Sequence, residues 1–105
     1  MTTVTISRRD QAMGSAVTLI TNLLRAVLWL IKHGVHVQGF RGWRSDAGVD
    51  RVAVVVTASP YLYHLMPDAT WLRRRQEGCL VIYTYFAIRK GISIEWEESC
   101  AYPVQ

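Results

Sequence analysis

Length, composition and charge describe one small basic domain. The chain has 105 residues, which is the size of a single ordinary domain and is enough to enclose a modest core. Apolar residues make up 50% of it, and this share excludes a chain that is disordered throughout. The formal net charge of +4, from 12 basic and 8 acidic residues, favours an anionic partner such as nucleic acid or an acidic protein surface. We therefore expect one compact domain over residues 1–105.

The first predicted element is a long amphipathic helix. Ser7 and Asp10 form a pair that resembles a capping box at its start, and Gly34 after a basic last turn marks its end. Trp29 falls on the polar stripe, and we expect a loop to cover it because large aromatic side chains are mostly buried. Apolar residues recur at steps of three and four and predict a wide buried face made of Met13, Ala16, Val17, Ile20, Leu23, Leu24, Val27, Leu28 and Ile31.

The same segment has two features of an export signal, a pair of arginines at residues 8–9 and an apolar run behind them. Asp10 and Gln11 precede that run, however, and Asn22 and Arg25 interrupt it. An arginine at the middle of a membrane-spanning helix costs roughly 2.5 to 3.5 kcal/mol on insertion scales. We therefore expect a protein that has no membrane partner and resides in the cytoplasm.

Two strands and a helical segment follow the long helix. Val35–Phe40 alternates apolar and polar residues and predicts a strand with a bulge at Gly39. The β-branched run Arg51–Ala58 predicts a second strand that is apolar on both faces. The segment Ser59–Gly78 is divided by prolines and ends in glycine, and it predicts one or two short helices.

A β-hairpin completes the predicted fold. Its strands are Cys79–Ile88 and Ile92–Glu98, joined by a three-residue loop in which Gly91 takes the left-handed backbone conformation. The predicted order of elements is therefore α-β-β-α-β-β. Two hairpins and one long helix predict an α+β fold, in which the helix packs on a mainly antiparallel four-stranded sheet.

Alternation along this hairpin assigns its side chains to the two faces of the sheet. With the predicted loop, Ile88 pairs with Ile92. Tyr83 and Tyr85 then lie on the face away from the long helix, and the sequence leaves open whether the short helices cover them. The side chains expected to face the long helix are Leu80, Ile82, Phe86, Ile88, Ile92, Ile94 and Trp96.

No pattern points to catalysis, a metal or a cofactor. His33 and His36 are three residues apart, but one ends a helix and the other begins a strand, so their rings need not converge. Cys79 and Cys100 flank the final hairpin and are expected to be free, reduced thiols. The chain has neither a nucleophile signature nor a phosphate-binding glycine loop. We therefore expect a protein that is not an enzyme and holds neither a metal nor a cofactor.

The stretch FRGWRSDAGVDR combines a turn with a cluster of arginine and tryptophan. RSDAGVD has the residues of an ordinary turn, but turn formation does not account for Trp43 between Arg41 and Arg44. Arginine and tryptophan are enriched at binding hot spots, and they also hold phosphates and stack on bases. The alternative is that Trp43 folds back onto the core. With the second basic cluster and the tyrosine pair, the candidate partner-binding residues are Arg41, Trp43, Arg44, Arg73, Arg74, Arg75, Tyr83 and Tyr85.

Two functions fit these residues. The first is a small interaction protein that binds and modulates a larger protein or ribonucleoprotein complex, most simply by inhibition, in the manner of accessory proteins of phages and mobile elements. The second is a nucleic-acid-binding protein that uses the arginine-rich segments and stacks bases on Tyr83 and Tyr85. We favour the first, because the acidic segment Glu95–Glu98 would repel a polyanion. In either case the chain itself is expected to be a monomer or a homodimer.

Overall fold

Two helices and five strands make up the part of the chain that the structure describes, residues 8–101. The structure is a computed structural model, and it describes side chains from residue 16 to residue 101. The α+β class is as predicted, and the predicted helix cap at Ser7 lies outside the described residues. In chain order the elements are α1 (Arg8–Lys32), β1 (Val37–Arg44), β2 (Asp50–Val56), α2 (Tyr61–Leu65), β3 (Thr70–Glu77), β4 (Leu80–Arg89) and β5 (Ile92–Ala101).

The five strands form one mixed sheet with the order β1-β2-β5-β4-β3. Three of the neighbouring pairs are antiparallel, but β2 and β5 run parallel, with Val54 beside Ile94. The prediction of four strands in a mainly antiparallel sheet with the order α-β-β-α-β-β is therefore wrong. The meander β3-β4-β5 joins the hairpin β1-β2 through its last strand, and no local pattern specifies so distant a pairing.

The additional strand is β3, in a segment predicted to be helical. Gly78 has a φ of 59° and turns the chain directly from β3 into β4, so that Glu77 pairs with Leu80. The glycine expected to stop a helix therefore makes a tight hairpin turn instead. Every residue of β3 is exposed, and its three arginines lie along an edge of the sheet, where charged side chains discourage pairing with other chains.

The turn between β4 and β5 determines the register of the sheet. Lys90 and Gly91 both have positive φ, at 56° and 75°, and form a two-residue turn that pairs Arg89 with Ile92. The predicted three-residue loop is therefore wrong by one residue. Because side chains alternate along a strand, this difference moves every side chain of β4 to the opposite face relative to β5.

Both helices pack on the same face of the sheet, which we call the helix-bearing face, and the core lies between them and the strands. The central strand β5 turns its apolar side chains inward, as predicted, whereas β4 turns Ala87 and Tyr85 inward in place of Phe86 and Ile88. The fully or almost fully buried core consists of Ala26, Leu30, Val54, Val56, Leu62, Met66, Ala87, Ile92, Ile94 and Trp96.

The long helix packs on the sheet through a different stripe from the predicted one. Ala26 and Leu30 are fully buried, and Leu19, Leu23 and Val27 pack around them. The predicted buried face is wrong, because six of its nine members are exposed: Ala16, Val17, Ile20, Leu24, Leu28 and Ile31. Apolar residues cover most of the circumference of α1, so periodicity alone does not choose a stripe. The sheet contacts the stripe that has the small side chain of Ala26 at its centre.

The end of α1 follows the prediction. Gly34 has a φ of 75°, and the Val35 amide donates a 2.9 Å hydrogen bond to the Leu30 carbonyl, as in a Schellman motif. Trp29 is half-buried. The centre of the His33 ring lies 4.6 Å from the centre of the Trp29 ring, and the Arg89 guanidinium carbon lies 5.9 Å from it. A side chain of β4, and not a loop, therefore covers Trp29.

The orientation of α1 is tested by two substitutions two residues apart. Leu30→Ala removes a fully buried side chain and is expected to cost about 2–5 kcal/mol of unfolding free energy. Leu28→Ala trims a side chain that is 56% exposed and is expected to cost less than about 0.5 kcal/mol. Denaturant unfolding of dilute protein, in which self-association does not contribute, measures both. A larger loss for Leu28→Ala would mean that the originally predicted stripe is the buried one.

Candidate functional site

The face of the sheet opposite the helices exposes several large apolar side chains. We call it the open face, because no helix among residues 8–101 packs on it. Phe86 and Ile88 of β4 point to this face, and Ile88 is 57% exposed. Trp43 of β1 and Leu72 of β3 add side chains that are 38% and 44% exposed. Large apolar side chains from three strands therefore meet solvent on one surface.

A groove of about 290 Å³ crosses this surface. A bulge between Trp71 and Arg73 gives β3 one extra residue, Leu72, which forms one side of the groove. Trp43 and Arg51 form the opposite side, and one end reaches Leu19 of α1. The residues that line it include Trp43, Arg51, Leu72, Phe86, Ile88 and Glu95.

An ion pair at the edge of this groove holds Arg41 in place. Arg41 donates two hydrogen bonds to the carboxylate of Glu95, from Nη2 at 2.6 Å and from Nε at 3.1 Å. The Glu95 side chain is 4% exposed and that of Arg41 is 35% exposed. The hydrogen bond to Glu95 raises the pKa of the Arg41 guanidinium, against the opposing effect of burial. The two-pronged geometry fixes the guanidinium plane as well as its charge.

Trp43 is held in turn by Arg41. The Arg41 guanidinium carbon lies 4.3 Å from the centre of the Trp43 ring, which is a cation–π contact. Trp43 therefore lies against Arg41 at the surface, where it is 38% exposed, and does not fold back onto the core. Glu95, Arg41 and Trp43 form a chain of contacts that we call the Trp43 relay, and it leads from the buried centre of the sheet to its surface.

The predicted setting of these residues in a loop is wrong. Arg41, Trp43 and Arg44 all lie within β1, and only residues 45–49 form the turn. The turn chemistry itself is as predicted, since Ser45 Oγ accepts a hydrogen bond from the Val49 amide at 3.2 Å and Gly48 has a φ of 77°. Paired strands hold Trp43 more rigidly than a loop would.

The other predicted arginines do not form one basic surface. Arg75 donates to Glu97 at 2.8 Å and to Glu77 at 3.0 Å, and these contacts raise the pKa of Arg75 and lower that of Glu97. Arg44 lies 3.2 Å from Asp50 on the surface. Alternation along β3 puts Arg74 on the helix-bearing face and its neighbours on the open face. The three arginines of β3 are therefore divided between two faces.

Tyr83 and Tyr85 lie on the helix-bearing face, where α2 contacts Tyr85. Tyr85 stacks on Trp96 with ring centres 6.1 Å apart, and Tyr63 of α2 meets Tyr85 edge to face at 6.1 Å. Tyr83 lies beside Tyr85 at 6.3 Å and contacts the Trp71 ring at 6.4 Å. The tyrosines are thus half-buried members of an aromatic cluster and do not join the groove on the open face.

The sequence interpretation missed four residues of this site, namely Leu72, Phe86, Ile88 and Glu95. Phe86 and Ile88 were assigned to the core because the predicted hairpin loop was one residue too long. Gly91 signals a turn, but the sequence does not reveal that Lys90 also takes positive φ. Glu95 was recognised only as part of an acidic segment, and no pattern linked it to Arg41, which is 54 residues away in the chain.

The described residues offer no metal site. Among the side chains of residues 16–101, no three histidine, cysteine, aspartate or glutamate residues are grouped so that they could hold an ion. Cys79 and Cys100 are free and exposed. Within the same residues, no helix combines the length and the apolar character that crossing a membrane requires.

Comparison of the chain with protein-family models, with curated proteins and with solved structures finds no match. What this protein does must therefore be inferred from its own residues.

The Trp43 relay predicts unequal costs for removing its two charged members. Arg41→Ala leaves the carboxylate of Glu95 buried without its partner and is expected to cost about 3 kcal/mol of unfolding free energy. Glu95→Gln keeps the shape and one acceptor oxygen and is expected to cost about 1 kcal/mol. Denaturant unfolding at neutral pH measures both. Equal costs would mean that Glu95 is solvated and that the pair does not fix Trp43.

The aromatic cluster predicts that one tyrosine, Tyr63, ionises at a higher pH than an ordinary tyrosine. Partial burial and the hydrogen bond that Tyr63 donates to Glu98 raise the pKa of its hydroxyl from 10.0 to about 12. The stability due to the neutral hydroxyl is therefore complete below pH 10 and is lost as the pH rises through about 12. Near-ultraviolet absorbance should show this late transition in the natural chain and in Tyr61→Phe, but not in Tyr63→Phe. Its survival in Tyr63→Phe would contradict the assignment.

Proposed function

We propose that this protein acts by binding and not by catalysis, as a small cytoplasmic interaction protein that binds and modulates a larger protein or ribonucleoprotein complex. The binding surface is the groove of the open face. The observation that carries this proposal is the Trp43 relay, because it fixes an exposed tryptophan and an arginine beside exposed apolar side chains. Tryptophan and arginine dominate the energetics of protein interfaces.

The side chains that line the groove indicate what kind of polypeptide segment would bind it. Phe86, Ile88 and Leu72 offer a contact for one large apolar side chain, and covering Ile88 or Leu72 contributes about 2 kcal/mol each. Arg51 lines the same groove and makes no ion pair with any side chain among residues 16–101. A carboxylate next to the apolar side chain would pair with it. The expected ligand is a polypeptide segment with a large apolar residue flanked by an acidic one.

The site is organised before a partner arrives, which favours tight binding. Ordering a long side chain at an interface costs roughly 0.5 to 1.5 kcal/mol. The bidentate pair with Glu95 already orders Arg41, and the contact with Arg41 already orders Trp43. Less conformational entropy is then lost on binding than at a surface of free arginine side chains.

The distribution of charge favours a protein over a nucleic acid. A nucleic-acid site needs several cations free to contact consecutive phosphates. Here Arg41, Arg44 and Arg75 already bind carboxylates of the same chain, and Glu95 and Glu97 lie on the open face itself. Tyr83 and Tyr85, which were considered for base stacking, are on the opposite side of the sheet.

The proposal predicts that Trp43→Ala abolishes partner binding and leaves the thermal unfolding transition nearly unchanged. Trp71→Ala is the matched control, because Trp71 is 57% exposed but lies on the helix-bearing face. Peptides that bind the natural chain are selected from a random display library, and their affinities for both variants are measured. Selected peptides should pair a large apolar residue with an acidic one.

Two results would contradict this proposal. The first is equal loss of peptide affinity in the two tryptophan variants, since binding would then not depend on the groove. The second is tight, salt-sensitive binding of labelled oligonucleotides that is lost in Arg73→Glu and Arg74→Glu. A steep fall with salt is the mark of phosphate contacts and would favour the nucleic-acid alternative.

A further inference from the structure

Helix α1 carries a second apolar surface that nothing among the described residues covers. It consists of Val17, Ile20, Leu24, Leu28 and Ile31, and we call it the outer stripe. Each of these side chains is between 56% and 64% exposed. They follow one side of the helix for four turns, on the side away from the sheet. A soluble surface rarely exposes five large aliphatic side chains in one line.

The spacing of the outer stripe is symmetric. Successive members are three, four, four and three residues apart, so the pattern is the same in either direction about Leu24. An antiparallel copy of the helix with a two-fold axis at Leu24 brings Val17 opposite Ile31 and Ile20 opposite Leu28. Every apolar side chain of one copy then meets an apolar side chain of the other, as a two-fold interface requires.

We propose that this protein is a homodimer in which the α1 helices of two copies pack antiparallel through the outer stripe. This interface is independent of the proposed function, because no residue of the outer stripe lines the groove, which reaches α1 only at Leu19. Both grooves stay open in the dimer. Two identical sites on one particle would bind a partner with repeated segments more tightly than one site alone.

Charge permits this packing and favours the antiparallel orientation. Arg25 is the only charged residue between Gln11 and Ile31, and it lies roughly a quarter of a turn from the centre of the stripe. No charge is therefore buried at the centre of the interface. Antiparallel helices also align their dipoles favourably. A parallel pair would instead bring the Arg8 and Arg9 positions of two copies side by side.

The area available fits a weak to moderate dimer. Each side chain of the stripe exposes on the order of 100 Å², so two copies bury about 1,000 Å² in total. This is the lower limit for a specific interface. A second copy of this chain carries a stripe of the same length and spacing, so no other partner has to be assumed.

The first test measures the mass in solution. Sedimentation equilibrium of the natural chain, at concentrations up to about 100 μM, should give twice the mass of one chain. Leu24→Glu places two carboxylates at the two-fold axis and should weaken the dimer by at least about 100-fold. Arg25→Glu, one residue along but off the stripe, should remain a dimer. Circular dichroism verifies that both variants are folded.

The second test gives the orientation and does not depend on a destabilising substitution. In a chain with Cys79→Ser and Cys100→Ser, the variants Val17→Cys and Ile31→Cys are prepared separately, mixed and oxidised. The antiparallel dimer predicts disulfides between the two different variants, identified by peptide mass. Disulfides within each variant would indicate a parallel pair and overturn the proposal. So would a monomeric natural chain, including one that binds lipid vesicles through the outer stripe.

Discussion

The two-residue turn at Lys90 and Gly91 sets the register of β4 against β5, and both faces of the sheet depend on it. On the helix-bearing face, this register pairs Tyr85 with Trp96, and α2 completes the aromatic cluster with Tyr63. On the open face, it pairs Phe86 with Glu95. A loop longer by one residue would exchange the faces of β4 and would remove the apolar floor of the groove.

The open face is accessible to solvent, yet it contains a buried ion pair. Glu95 is 3% exposed although no helix among residues 8–101 covers it. Its charge is compensated by Arg41, which extends across the sheet from the edge strand β1. A buried pair of this kind adds little stability compared with apolar residues, but it fixes geometry. Its effect here is to hold the Trp43 ring in one position at the surface.

The two apolar surfaces that no described residue covers differ in composition and length. The outer stripe of α1 is aliphatic, long and free of charge, which suits packing against an identical helix. The groove is shorter and combines aromatic and aliphatic contacts with arginine, which suits recognition of a different polypeptide. Because the two surfaces share no residue, the proposed dimer and the proposed partner need not compete.

The sequence by itself determined the features that depend on neighbouring residues: the length and end of α1 at Gly34, the bulge at Gly39, the buried strand β2 and the inward side chains of β5. It also indicated Arg41 and Trp43, because ordinary turn chemistry did not account for them. Each of these signals is a periodicity or a residue preference within a few positions of the chain.

Only the tertiary structure decided which elements meet. Two of these contacts join residues that are distant in sequence: the parallel pairing of β2 with β5 and the ion pair of Arg41 with Glu95. Two other features had locally equivalent alternatives: the strand β3 and the stripe of α1 that contacts the sheet. A helix that is apolar on two sides satisfies its periodicity in either orientation. Its neighbours in space select the orientation, because only the sheet's shape distinguishes the small side chain of Ala26 from the larger ones of the outer stripe.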